Sequence, residues 1–281
     1  MIEFTQKNII DVCFGTKTIK AGYFGTTLVY QKSSPGPSTD PYITFTANAP
    51  STIGLSKKSS VHTLEYSTNK KNWNTMDTTT SISLSSGDKL YVRGILSANN
   101  SSSDYTRFSI TGNVSALGNI NSLWNYQNLT ASLKQRCGYR MFYGCKGLTT
   151  VGSLPATTLA SSCYEYMFDG CTALTTAPEL PATTLASDCY SHMFQGCTSL
   201  TTAPIINCST INSDIAESMF SGCSSLIYVK CLSAYNTDSD GVKNWMYGTN
   251  SSGTFVKNAN ALFTWRRDDS GIPSGWTVQN A

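Results

Sequence analysis

Two rhythms of apolar residues divide the chain. Between residues 42 and 113, apolar and polar positions alternate in short runs: Ile43/Phe45, Ile53/Leu55, Leu64/Tyr66, Ile82/Leu84, Leu90/Val92 and Phe108/Ile110. Asn, Gly, Ser and Lys separate these runs. A period of two puts every second side chain on one face of a strand, so this stretch predicts an antiparallel β-sandwich. Further along, the rhythm becomes a repeat of 26 residues. Met141, Met167, Met193 and Met219 open Met-Phe pairs at that interval. Gly144, Gly170, Gly196 and Gly222 keep the same phase, as do Cys145, Cys171, Cys197 and Cys223. Leu148, Leu174, Leu200 and Leu226 follow, and so do Cys137, Cys163 and Cys189, with Ile215 in the fourth slot.

Within a repeat, Leu159, Cys163 and Met167 stand at i, i+4 and i+8, a spacing that predicts one face of an α-helix. Pro155 and Thr157 lie where such a helix would start, and Gly170 just past its end. Leu174, Ala177 and Leu180, bracketing Thr175-Thr176, predict a short strand. A helix-plus-strand unit of this length is the pattern of a leucine-rich repeat. One unit cannot bury its apolar face alone, so stability must be shared along the array. The fold class expected is mixed β and α/β solenoid. It comprises an N-terminal β attachment segment (1–32), a Pro/Ser/Gly linker (33–41), a β-sandwich (42–113), a leucine-rich-repeat solenoid with 26-residue repeats (114–232) and a C-terminal cap (233–281). Residues 116–123 read as a degenerate first repeat, with Ile120 in the Cys slot and Leu123 in the Leu slot. Trp245, Phe255, Phe263, Trp265 and Trp276 break the period and read as the core of the cap.

The first 32 residues carry their own echo, Phe14-Gly15-Thr16 returning as Phe24-Gly25-Thr26. Thirty residues are too few for a core of their own. Ile19, Phe24, Leu28 and Tyr30 are therefore expected to be buried against another protein, which makes this segment an attachment module.

Charge narrows the classes. Charged residues make up 13% of the chain and the net charge is +3, with no Lys/Arg run longer than two. A nucleic-acid partner would need a basic stripe, so none is expected. No stretch approaches the ~20 apolar residues of a membrane span, and Met1–Lys7 does not read as a secretion signal. Ile215 in a Cys slot is compatible with apolar packing and not with a disulfide or metal ligand, so the repeated cysteines are expected as buried free thiols. No CxxC pair or Cys/His cluster suggests a metal.

No catalytic motif is present, and His62 and His192 are the only histidines. Asp238, Asp240, Asp268 and Asp269 read as solvated loop carboxylates. No enzyme activity, catalytic residue or cofactor is expected. Candidate ligand-binding residues are the aromatics at variable repeat positions: Tyr139, Tyr143, Tyr164, Tyr166, Tyr190 and His192. Tyr offers a flat apolar face and a hydroxyl, which suits sugars and protein surfaces alike. The same side chains would equally serve to fill gaps between adjacent repeats.

The stretch from Cys163-Tyr164-Glu165-Tyr166-Met167-Phe168-Asp169-Gly170-Cys171 to Pro181-Ala182-Thr183-Thr184-Leu185-Ala186 resembles the BspA-like leucine-rich-repeat surface proteins of gut Bacteroidetes and their phages. Leu64-Glu65-Tyr66-Ser67 and Gly271-Ile272-Pro273-Ser274-Gly275-Trp276-Thr277-Val278 are similar to flanking modules of those proteins, so the resemblance spans roughly residues 42–281. It implies adhesion or ligand recognition without catalytic residues. Residues 1–32 resemble short Gly-Thr β segments of crAss-like phage appendage proteins. The reading this supports is a virion appendage, a tail- or head-fibre type protein assembled in the host cytoplasm. Its partners would be other virion proteins, through residues 1–32, and a host surface glycan or protein; self-association stays open. A secreted bacterial adhesin at the cell surface and a purely structural decoration protein are the alternatives.

Overall fold

A computed structural model describes residues 13–14, 17–18, 21–24, 27–31, 38–211, 215–236, 243–268 and 271–281. Near the N-terminus, β1 (Cys13–Phe14) pairs antiparallel with β2 (Lys17–Thr18), and β3 (Ala21–Phe24) with β4 (Thr27–Gln31). Of the expected attachment residues, Ile19 lies outside the described residues. Phe24, Leu28 and Tyr30 fall in β3 and β4, but their side chains lie outside the description too, as does the Pro35-Gly36-Pro37 part of the linker.

The alternating stretch forms two sheets. Its strands are β5 (Ile43–Ala47), β6 (Ser51–Lys57), β7 (His62–Ser67), β8 (Asn74–Thr75), β9 (Ser81–Leu84), β10 (Lys89–Leu96), β11 (Arg107–Thr111) and β12 (Val114–Asn119). β11-β6-β9 make one sheet, and β12-β5-β10-β7-β8 belong to the other. Their inward residues Phe45, Ile53, Leu90, Val92 and Phe108 are buried, as the period-two pattern requires. β12 also pairs in parallel with β13 (Leu148–Ser153), the first strand of the repeat region, so the larger sheet runs from sandwich into repeats. That pairing sets Val114 opposite Leu148 and Ala116 opposite Val151. Val114, not Leu123, therefore stands beside the repeated Leu; Leu123 sits in α1 (Ser122–Asn125).

The α/β leucine-rich-repeat solenoid is overturned. The protein is nearly all β-sheet and turns, its sheets hold two to six strands, and the four-residue α1 is the only helix among the described residues. The repeats do not close into the helix-and-strand solenoid expected from the spacing. Where a helix was expected, each repeat makes a run of tight turns, here called a rung. In the first rung, the N–H groups of Cys137, Tyr139, Met141, Tyr143 and Cys145 each donate to the carbonyl three residues back. The intervening N–H groups point along the stack. Gly138 donates to Cys163 (2.7 Å), Arg140 to Glu165 (3.0 Å), Phe142 to Met167 (3.0 Å) and Gly144 to Asp169 (2.7 Å). An α-helix would spend all of these donors on its own carbonyls.

The dihedrals show why the period is four and not 3.6. Every fourth residue is left-handed: Arg136, Arg140 and Gly144 in the first rung, Ser162, Tyr166 and Gly170 in the second, and Asp188, His192 and Gly196 in the third. Each non-Gly residue held there costs roughly 1–2 kcal/mol, which the axial hydrogen bonds and core packing offset. Gly248, at φ +69°, and Asn244 carry the rung pattern into the segment expected to be cap.

The expected strands are also thinner than the pattern implied. In the second and third repeats only isolated bridges remain, such as Thr150 with Thr176 and Thr202 with Tyr228. Pro178, Pro181 and Pro204 remove N–H donors from those segments. β13 and β15 (Tyr228–Cys231) contain no proline and form true strands. β14 (Thr210–Ile211) pairs with β16 (Tyr235–Asn236), and β17 (Gly253–Lys257) lies between β15 and β18 (Trp276–Asn280), all parallel.

One hydrophobic core runs through the described molecule. Its axis is a column of phenylalanines. Phe108 of β11 stacks on Phe142 (5.2 Å between centroids), then Phe168 (5.7 Å), Phe194 (5.5 Å) and Phe220 (5.8 Å). Trp245 and Trp265 close the far end. The nine cysteines from Cys137 to Cys231 are buried and free. The thiols of Cys171, Cys197 and Cys223 donate to the carbonyls of Phe142, Phe168 and Phe194 at 3.0–3.2 Å, another tie between rungs.

Candidate functional site

The left-handed turns decide which side chains leave the core. Within a rung, Met141 and Phe142 point inward and are fully buried, while Arg140 and Tyr143 flank them outside. The next rung presents Tyr166 and the one after it His192 at the position of Arg140. These positions stack, so the outer side chains form a continuous face. Tyr139 packs edge-on against Tyr166 (6.2 Å), and Tyr166 stacks on His192 at 4.4 Å and 20°. The Ser191 hydroxyl lies 2.8 Å from His192 Nδ1 and orients that ring.

Arg140 sits at the centre. Its guanidinium carbon lies 4.6 Å from the Tyr166 ring centroid, 5.2 Å from that of Tyr139 and 5.4 Å from that of Tyr143. The sandwich extends the face. Tyr105 meets Tyr139 edge-on at 5.1 Å, Lys57 Nζ lies 4.3 Å above Tyr105, and Arg107 approaches Tyr143 at 5.7 Å. Tyr143 is the most exposed ring of the group, at 37%. Burial pushes the Asp169 carboxyl up to about 6 and raises Glu165; it lowers His192 and raises the Tyr139 and Tyr166 hydroxyls. At neutral pH the histidine is therefore a neutral aromatic partner and not a fixed cation.

Of the six expected ligand-binding residues, Tyr143, Tyr166 and His192 come together on this face, and Tyr139 packs against them but is itself buried, at 6% exposed. Tyr164 and Tyr190 do not. They lie in the core, 6.4 Å apart and stacked, each about 1% exposed. Their hydroxyls have no hydrogen-bond partner among the described residues, and burial drives their pKa far up. Spacing could not separate the two sets, because inward and outward positions in a rung depend on which residues are left-handed. Arg140, Arg107, Tyr105 and Lys57 were missed. Arg140 was visible as a lone cation between Tyr139 and Tyr143; the other three come from strands and loops remote in sequence.

A groove of about 580 Å³ opens where β11 meets the first rung. It is lined by Arg107, Tyr143 and Lys146 together with the segments 109–112 and 144–147. Gly147 permits the approach: a Cβ there would fall 2.2 Å from the Gly112 carbonyl oxygen.

A second aromatic cluster lies on the sandwich. Arg93 stacks between Trp73 (3.9 Å) and Tyr126 (4.2 Å), and its Nε donates to Glu65 at 2.7 Å. That guanidinium is already neutralised, so the cluster reads as a structural clamp. His62 is buried in the sandwich, at 1% exposed. One ring nitrogen lies 2.9 Å from Thr106 Oγ1, the other 2.6 Å from the Leu123 carbonyl, and burial lowers its pKa to about 4. It ties β7 to α1. Among the described residues, no group of three or more His, Cys, Asp or Glu could hold a metal ion, and no helix is long and apolar enough to cross a membrane. No family model, curated protein or solved structure matches this chain.

Proposed function

We propose that the protein is a non-enzymatic display protein of a virion that recognises a host-surface saccharide through the face formed by Tyr139, Arg140, Tyr143, Tyr166 and His192. The observation that carries this is the convergence of the exposed Tyr143 ring and the half-buried Tyr166 ring, with the buried Tyr139 ring beside them, around one guanidinium on a rigid stack. Aromatic faces cover the apolar side of a sugar ring, and adjacent donors take its hydroxyls. The rungs hold the face still, so little ordering entropy is lost on binding. The resemblance of residues 42–281 to surface proteins of gut Bacteroidetes and their phages supports the setting. Residues 1–32 serve as the attachment module to other virion proteins.

Two measurements test the reading. Host-surface polysaccharides immobilised on a sensor should retain the wild-type protein. Tyr143→Ala combined with Tyr166→Ala should weaken that retention about tenfold or more, the loss of one to two aromatic contacts, with cooperative melting preserved. Purified particles should contain the protein, and deletion of residues 1–32 should remove it from them. Presence on a bacterial surface and absence from particles would favour the adhesin instead. Incorporation without binding to any saccharide or host protein would leave a decoration role.

A further inference from the structure

The groove beside Tyr143 differs in charge from the rest of the face. Arg107 and Lys146 line it, and no carboxylate is among its lining residues. Arg107 is held in place: its Nε donates to Ser56 Oγ at 2.7 Å and its plane lies beside the Tyr143 ring. Neither Arg107 nor Lys146 forms an ion pair among the described residues, unlike Arg93, Lys243 and Arg266. The charge is also local to this junction. The positions equivalent to Lys146 in the later rungs are Thr172, Thr198 and Ser224, and those equivalent to Tyr143 are Asp169, Gln195 and Ser221. The first rung thus places a cation and an exposed ring where its successors place uncharged polar or acidic side chains.

We infer that this groove binds an acidic saccharide, a chain bearing uronate-type carboxylates, with the Arg107 and Lys146 cations receiving the carboxylate and Tyr143 covering the sugar ring. The inference rests on the saccharide-recognition reading and narrows it to one ligand class and one subsite. A guanidinium fork oriented through Nε leaves its two terminal nitrogens to meet a carboxylate side-on, the strongest of the ordinary charge-assisted contacts. The groove is open to solvent, which suits a segment of an exposed polymer more than a small enclosed ligand. Gly144 leaves open space at the groove, since a Cβ there would meet nothing within 4 Å, so a pyranose ring can approach the backbone at that point.

The probe is an oligogalacturonate, compared with the same oligomer after its carboxyls have been reduced to neutral galactose. Wild-type protein should bind the acidic oligomer about ten- to a hundredfold more tightly, the range for hydrogen bonds to a charged group. Arg107→Gln with Lys146→Gln should abolish that difference, while Arg107→Lys retains part of it. Lys257→Gln, at the opposite end of the stack, should leave it unchanged, which separates the groove from general attraction of a polyanion. Tyr143→Ala should weaken both oligomers. If both bind equally and the double variant alters neither, the acidic subsite is refuted while saccharide recognition stands. If Lys257→Gln lowers the preference as much as the double variant does, the attraction is diffuse and the subsite is refuted. If the wild type binds neither oligomer nor any neutral host polysaccharide, the recognition reading fails and the subsite with it.

Discussion

The sandwich and the rungs solve the same backbone problem in opposite ways. In the sandwich, strands satisfy their N–H and C=O groups laterally, with partners far away in sequence, as when β12 pairs with β5. In the rungs, alternate N–H groups close local turns and the remainder reach the next rung along the stack. The first scheme needs alternating side chains and nothing special of the dihedrals. The second needs a left-handed residue at every fourth position, and in the first three rungs it meets that need with glycine at only one of three sites. Yet both schemes feed one core: Phe108 of β11 heads the column that Phe142, Phe168, Phe194 and Phe220 continue. The sandwich thereby covers the first rung as the Trp245–Trp265 pair covers the last.

The largest effect should come from breaking that column. Phe194→Ala removes a fully buried ring between two stacked neighbours and should destabilise by about 3–5 kcal/mol, the usual range for such truncations. Chemical denaturation should show sandwich and rungs losing structure together, because they share the core. Loss of the rungs alone, with the sandwich signal retained, would mean that the two regions are independent.

Acid should act first on the sandwich. The His62 imidazole has its pKa lowered from 6.5 to about 4 by burial. The unfolded chain therefore binds a proton that the folded one refuses, and stability is lost as pH falls from 6.5 towards 4. The shift corresponds to about 3 kcal/mol at the low end of that window. Guanidinium titrations at pH 7 and pH 4.5 should show this loss in the wild type and a smaller one in His62→Gln. Equal losses in both would assign the acid sensitivity to other groups.

The two regions also differ in how far the sequence disclosed them. The alternation at Ile43/Phe45 and Leu90/Val92 corresponds to real strands, because period two has no competing interpretation. The 26-residue period was equally plain, and it does appear as stacked equivalents. Its interior was misread. Leu159, Cys163 and Met167, four apart, match a helical face closely enough that spacing alone favours the helix. The contrary signals were small: glycine at a fixed phase, and prolines at 178 and 204 inside the expected strands. At the candidate site, Tyr143 and Tyr166 could be named from their positions, but Tyr164 and Tyr190 were grouped with them. Only the turn geometry sends those two inward. Arg107 could not be found, because β11 and the first rung meet through tertiary packing.

The sharpest distinction between turn rungs and helices lies in one dihedral. Ser218 sits in the middle of a fourth rung, at φ +52°. Glycine accepts that conformation and alanine does not, so Ser218→Gly should be more stable than Ser218→Ala by about 1 kcal/mol. In a helix interior the order reverses, with alanine ahead by about 1 kcal/mol. Comparing the two variants with each other cancels the loss of the hydroxyl common to both. Paired denaturation curves for Ser218→Gly and Ser218→Ala are therefore the most direct test of the rung architecture: the glycine variant should have the higher midpoint, and a higher midpoint for the alanine variant would contradict it.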